Sequence, residues 1–300
     1  MGENKQLLLA NHSFFLYNVS CLGKRGFFLG TLEEWMIFLA LGAAMLLWLF
    51  LIWPGGGRRI TGTQYFAHRG LWDSECPENS LPAFQRAADR GLGIELDVRL
   101  CADGTVAVFH DENTARMCGE SLIAEQTPYD RLQMLLLKDT SLHIPTLRQV
   151  LDCVQGKSFL LIELKGKGTD CELCRRVMEE LRDYPGAYCV ESFNPFLLRY
   201  MKKHFPAVIR GQLTGVQGKG IRQRVLCFLC NSLAVNLLSR PDFISESIKQ
   251  HRSFSSRILE SCFGMQRAVW VLHQEDMIQR NKTNNCLVIF EDFMPDIQAK

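Results

Sequence analysis

Short apolar runs alternate with helical patterns from residue 60 to residue 300, a tight turn at "CADGT" joins two neighbouring runs, and a long uncharged stretch precedes them all. Together these observations predict an α/β fold: a TIM (β/α)8 barrel with a hairpin extension, preceded by one transmembrane helix. Composition agrees. Hydrophobic residues make up 47% and charged residues 22% of the 300, which excludes a disordered chain. A formal charge of +2, from 34 basic and 32 acidic residues, gives no electrostatic reason to expect a nucleic-acid partner.

Residues 1–33 form a mixed N-terminal tail in which "QLLLANHSFFLYNVSCL" is apolar but broken by Asn, His and Ser. The stretch "WMIFLALGAAMLLWLFLIW", Trp35–Trp53, then runs nineteen residues without a charge. As a helix it covers about 28 Å, close to the thickness of a bilayer's hydrocarbon core. Tryptophans stand at both ends, as interfacial anchors do. A membrane helix is expected over residues 34–54 and a Gly-rich linker over 55–61. Arg58 and Arg59 follow the span closely, whereas Glu33 and Glu34 precede it. That bias predicts a single-pass protein of the cell membrane with the domain that follows the span in the cytoplasm.

Residues 62–300 are expected to form the domain. Nine runs read as strands: "QYFAHRG", "GIELDVRL", "TVAVFHD", "FLLIELKG", "AYCVESFN", "VIRGQL", "SLAVNLL", "AVWVLH" and "CLVIFED". Helical patterns include "LPAFQRAADRG", "TLRQVLDCVQG", "CELCRRVMEELRDY", "PFLLRYMKKHFP" and "PDFISESIKQHRS". No Gly-rich phosphate loop follows the first run, which argues against an open doubly wound sheet. Twelve cysteines are scattered along the chain. The pairs Cys171/Cys174 and Cys227/Cys230 lie in a helical pattern and an apolar run without a His cluster, so they read as buried thiols rather than a zinc site. "GVQGKGIRQRVLCFL" is basic and then apolar; it reads as a solvated loop feeding a core helix, or as a segment resting on anionic lipid.

The polar residues at strand ends carry the chemistry. Glu95 and Asp97 are two apart in a strand, so their carboxylates point the same way. Such a pair needs a cation between them or a proton on one of them, and hard oxygen donors suit Mg²⁺ or Ca²⁺. The alternative is a strand face paired with Arg99 or Arg116. Glu163 and Lys165 repeat the spacing at the end of an apolar run, where barrel enzymes place their chemistry. Glu163 can complete a carboxylate triad, and Lys165 can face an anionic substrate; a salt bridge between the two is the other reading. His68 and His110 end two further strands and can exchange protons near neutral pH. Arg69 can grip phosphate oxygens in bidentate fashion. The set reads as metal-assisted hydrolysis of a phosphate ester.

"AHRG", "PENSLPAFQRAADRGLGIELDVRLCADGTVAVFHD", "IPTLRQVLD", "LLIELKG" and "VESFNP" in this order resemble the glycerophosphodiester phosphodiesterases, closely over residues 65–196 and loosely beyond. The resemblance implies a barrel of the PLC-like phosphodiesterase type with one divalent metal. By matched position Glu95, Asp97 and Glu163 look like metal ligands, His68 and His110 like the acid–base pair, and Arg69 and Lys165 like phosphate contacts. Asn79 looks like part of the loop bordering the pocket, although Asn79 or Ser80 would also cap the following helix. Trp270 stands where the family has a Trp-Thr-Val-Asn strand, here "AVWVLHQEDM", and "CLVIFEDFMPD" replaces the usual closing strand. The implied activity is hydrolysis of glycerophosphodiesters to an alcohol and glycerol 3-phosphate in lipid metabolism. The competing expectations are a lysophospholipase D acting on lysophospholipids in the bilayer and a non-catalytic lipid-binding barrel.

Overall fold

The computed structural model describes residues 32–215, 220–249, 252–274 and 286–295. The tail expected before the membrane helix thus lies almost wholly outside the described residues, as do residues 216–219 of the basic loop. The chain divides into two compact units, Met1–Trp48 and Leu49–Lys300. Helix α1, Leu32–Ile52, is long and apolar enough to cross a membrane, and only 6% of its most apolar window is buried.

The second unit alternates strands and helices. β1 (Tyr65–Ala67) and α2 (Leu81–Asp89) lead to β2 (Gly93–Leu100) and β3 (Val106–Val108). Two one-turn helices, α3 (Ala115–Cys118) and α4 (Tyr129–Leu132), precede α5 (Leu147–Val154). Then come β4 (Leu160–Leu164), α6 (Glu172–Glu180), β5 (Tyr188–Ser192), α7 (Pro195–His204) and β6 (Arg210–Leu213). The chain continues through α8 (Ile221–Asn231), α9 (Asn236–Ser239), β7 (Phe243–Ser247), α10 (Phe254–Phe263), β8 (Gln266–Leu272) and β9 (Cys286–Phe290).

The parallel strands lie in the order β1-β9-β8-β7-β6-β5-β4-β2, and β1 pairs with β2 to close the barrel. β3 is the expected hairpin extension: it runs antiparallel to β2, with Val98 opposite Val108. Gly104 makes that turn at φ +85°, a conformation costly for a residue with a Cβ.

Strand alternation sorts the side chains into two cores. Ile94, Leu96, Val98, Leu160, Ile162, Leu164 and Val190 face outward and are buried under helix residues such as Phe84, Leu147, Val150, Val177 and Leu197. Each such burial is worth about 1.5–3 kcal/mol. Phe66, Leu161, Cys189, Phe243, Ala268 and Leu287 point inward and plug the barrel below the site. α5 starts on a capping box, Thr146 with Gln149, worth about 1 kcal/mol.

One pair of expectations is corrected. "SLAVNLL" is not a strand but a turn leading into α9, with Leu233 at φ +64°. The seventh barrel strand is Phe243–Ser247, within the segment read as the helix "PDFISESIKQHRS". Ile244 and Ile248 sit at helical spacing, which hid the alternation of inward Phe243 and Ser245 with outward Ile244 and Glu246. The tertiary requirement for an eighth parallel strand overrode the local pattern.

Residues 55–61 are laid against the barrel. Gly55 N donates to Pro241 O at 2.8 Å, and Arg58 Nη2 pairs with the buried Asp242 at 2.8 Å. Ile60 exchanges hydrogen bonds with the Gln266 side chain through both its N–H and its carbonyl.

Candidate active site

The carboxyl ends of the strands surround a cavity of about 260 Å³, lined on one side by His68, Arg69, Glu95, His110, Glu163, Lys165 and Glu191. Phe193, Leu213, Trp270, Val271 and Ile289 line the other side. Parallel register sets the acidic side. Asp97 lies beside Glu163 across β2 and β4, and Glu163 lies beside Glu191 across β4 and β5. One carboxylate oxygen from each of Glu95, Asp97 and Glu163 lies within 4.8 Å of the others.

The "HRG" triplet turns the chain out of β1 into this cluster. Arg69 adopts φ +59°, and its backbone N donates to Glu95 Oε2 at 2.9 Å. Gly70 follows at φ +85°, where a Cβ would come within 2.9 Å of the Ala83 backbone, so the turn seats directly on α2. The Arg69 guanidinium donates to Glu78 at 2.7 Å and lies 3.5 Å from Asp97 Oδ2. Glu78 also accepts from Arg116, which in turn holds Asp111.

Asn79 is buried behind the cavity. Its amide donates to Asp97 Oδ2 at 2.9 Å, while Ser80 caps α2. Neither Arg99 nor Arg116 pairs with Glu95 or Asp97: Arg99 binds His110 O and Glu125, and Arg116 binds Glu78 and Asp111. Lys165 Nζ lies 2.8 Å from Glu163 and 3.1 Å from Asp97, bridging two of the three carboxylates.

Both histidines have a carboxylate at their Nδ1. His68 Nδ1 lies 2.5 Å from Glu291 Oε2, and His110 Nδ1 lies 2.6 Å from Asp111 Oδ1. Such a partner orients the ring and leaves Nε2 for proton exchange. Burial is the largest influence on His110 and lowers its pKa; Lys165 and Arg69 add to this against the pull of Asp97.

The acids separate electrostatically. Burial would raise Asp97, yet Lys165, His110, Arg69 and the Asn79 amide together hold it well below the usual carboxylate range. Glu95 is raised well above its ordinary value by burial and by Asp97 and Glu163. Burial pushes Glu163 up to about 7, with Lys165 pulling it down and Asp97 pushing it up. Glu191 is pushed up to about 8 by burial and by Glu163. Four buried carboxylates thus face two partly buried cations, Arg69 and Lys165. Converging hard oxygen donors with this deficit of positive charge fit a divalent cation held by Glu95, Asp97 and Glu163.

Sequence reasoning missed Glu191, Glu291 and Asp111. Each is a carboxylate at the carboxyl end of a strand or just after it, the same signal that singled out Glu163. All eleven cysteines among the described residues are unpaired.

The match to known proteins follows the site. Residues 68–216 fit the model of the glycerophosphoryl diester phosphodiesterase family. A glycerophosphodiester phosphodiesterase of Caldanaerobacter subterraneus is 34% identical over 169 residues, 50% of this chain and 66% of that protein. The Bacillus subtilis protein YqiK is 31% identical over 51% of this chain and 67% of its own length. The chain spans about two thirds or less of the length of the curated relatives it matches. Among solved structures, an Oleispira antarctica phosphodiesterase in complex with the product sn-glycerol-3-phosphate superimposes with a TM-score of 0.60 at 22% identity, over 76% of this chain and 92% of that one. That likeness is one of fold. With the family match covering His68, Glu95, Asp97, His110 and Glu163, the chain belongs to the glycerophosphoryl diester phosphodiesterase family.

Proposed function

We propose that the protein hydrolyses glycerophosphodiesters to an alcohol and glycerol 3-phosphate. The observation that carries this reading is the three-carboxylate cluster of Glu95, Asp97 and Glu163 flanked by two histidine–carboxylate pairs. The product named for the Oleispira antarctica relative agrees with it. Glu95, Asp97 and Glu163 would hold one divalent cation, Mg²⁺ or Ca²⁺. Bound there, it would supply Lewis-acid polarisation of the phosphoryl oxygens.

The chain's own residues do the rest. Arg69 and Lys165 neutralise charge growing on the equatorial oxygens of the phosphate. One histidine takes the proton of the attacking oxygen, a water or the glycerol 2-hydroxyl, and the other returns a proton to the departing alcohol oxygen; where the 2-hydroxyl attacks, a water then opens the cyclic phosphate to glycerol phosphate. Glu291 and Asp111 hold the two rings in the orientation that this exchange needs. Phe193 and Trp270, packed edge to face at 5.8 Å between ring centroids, offer an apolar wall to the rest of the substrate. That wall also favours a second reading, a lysophospholipase D whose acylated substrates come from the bilayer. In either case α1 serves as the single membrane span, and the barrel, residues 62–300, lies in the cytoplasm.

The test is release of glycerol 3-phosphate from glycerophosphocholine by the full chain in detergent. His68→Ala and His110→Ala should each slow turnover by about 10²–10⁴-fold. Parent-level turnover in both variants would remove the acid–base assignment. Hydrolysis of lysophosphatidylcholine but not glycerophosphocholine would favour the second reading.

A further inference from the structure

Helix α8 is an outlier among the helices that follow barrel strands. It is eleven residues long, yet none of its described side chains is buried. Apolar residues at helical spacing instead face outward: Ile221 is 84%, Val225 54% and Phe228 71% exposed. The helix belongs to the mouth of the barrel. It follows β6, whose Leu213 lines the cavity, and its last residue, Asn231, accepts a hydrogen bond from Gly215 N at 3.0 Å. Gly215 itself lies against Trp270 of the apolar wall. From Asn231 the chain passes down the side of the barrel through α9, where Leu237 is exposed, to Arg240. Arg240 holds the carbonyls of Phe50 and Trp53, both exposed, at 2.8 and 2.9 Å.

Charge selects what this surface meets. From Gly211 to Pro241 the sequence carries Arg and Lys but no Asp or Glu, and Arg224 is exposed on the helix itself. An apolar stripe on a basic, acid-free segment matches an anionic lipid surface, which takes apolar side chains below its headgroups and attracts cations at them. The same chain carries the apolar helix α1, which gives it a bilayer to meet.

We propose that α8 is a lipid-docking lip: its Ile221–Val225–Phe228 stripe lies in the headgroup region of an anionic bilayer and sets the mouth of the barrel at the membrane surface. The consequence for substrate choice rests on the hydrolase reading above; the docking itself does not. A diester whose glycerol carries an acyl chain would pass from the bilayer along α8 to the wall of Trp270 and Phe193, whereas a water-soluble glycerophosphodiester would need no lip.

The full chain, one copy per lipid nanodisc, is compared in phosphatidylcholine discs with and without added phosphatidylglycerol by hydrogen exchange over residues 221–231. Slower exchange in the anionic discs, abolished by Phe228→Asp, is the expected result. Phe228 is exposed, so this variant keeps the fold, and its exchange elsewhere in the barrel reports that directly. In parallel, hydrolysis of disc-borne lysophosphatidylglycerol should fall about tenfold or more in Phe228→Asp, the scale of withdrawing one Phe from an apolar medium, while soluble glycerophosphocholine is cleaved as before. Equal exchange in both discs for parent and variant overturns the proposal. So does protection that appears only when two copies share a disc, which would make the stripe a contact between copies. If neither substrate is cleaved by any form, the hydrolase reading fails, and the exchange measurement still decides the lip.

Discussion

The two halves of the barrel mouth are built from the same strand geometry and hold opposite chemistry. The half from β1 to β5 ends in His68, Arg69, Glu95, Asp97, Glu163, Lys165 and Glu191, with Phe193 just beyond β5; the half from β6 to β9 presents Leu213, Trp270, Val271 and Ile289 to the same cavity, with Glu291 just beyond β9 paired to His68. Inward positions recur every second residue in both halves, so the backbone permits either content. The acidic half is costly to bury: its carboxylates are desolvated and repel one another, and Glu95, Glu163 and Glu191 are all raised by it. In the apolar half Glu291 bears a burial cost, which its pairing with His68 outweighs. A fold retains a strained cluster of this kind where it supplies a reaction, and an apolar wall where it supplies shape and exclusion of water.

The largest effect expected from breaking this contrast is at the acids. Glu163→Gln or Glu95→Gln should reduce turnover by on the order of 10³-fold, in the range seen when one electrostatic stabiliser of a transition state is removed. Thermal melting should show equal or greater stability, because a buried like charge is gone. A loss of activity explained by unfolding would break the contrast.

The next effect lies across the cavity. Trp270→Ala should change kcat little but shift the preference between acylated and unacylated substrates by about tenfold, the scale of an apolar pocket contact. A loss of kcat equal to that of Glu163→Gln would mean that the two halves do not divide the work.

The smallest effect separates burial from function. Glu180, on α6, is raised to about 7, as Glu163 is, but burial drives it, against the pull of Arg148 and with a smaller push from Asp152, and no acid of the site contributes. Its folded value lies above the ordinary 4.5. Above pH 7 its charge is therefore carried in both the folded and unfolded states, and the folded state bears the desolvation cost. That cost is relieved as pH falls through 7 and is absent below 4.5. Glu180→Gln should therefore add about 1 kcal/mol of stability at pH 8, allowing for its partial exposure, and nothing at pH 4. Its hydrolytic activity should match the parent at both pH values where the parent is folded.

Legibility in the sequence followed the same division. Glu95 and Asp97 stood out because two acids alternate within one strand, and Glu163 and Lys165 because charge ends an otherwise apolar run. Glu191 and Glu291 each end a run alone, and what makes them part of the site is register with other strands: Glu191 beside Glu163, and Glu291 beside His68. Register is tertiary, and one strand read by itself does not contain it. Asn79 is a similar case, since the same sequence signal serves a helix cap and a hydrogen bond to Asp97. The fold was legible from alternation except at Phe243–Ser247, where helical spacing of Ile244 and Ile248 masked a period of two.

The most direct test of the account is chelation. The full chain is assayed for release of glycerol 3-phosphate from glycerophosphocholine, before EDTA, after it, and after dialysis with Mg²⁺ or Ca²⁺ added back. The account predicts activity that is lost with EDTA and restored by one of the two ions in the parent, but by neither in Glu163→Gln. Undiminished turnover in EDTA would contradict it, because the acidic half of the mouth would then be working without the cation that its geometry fits.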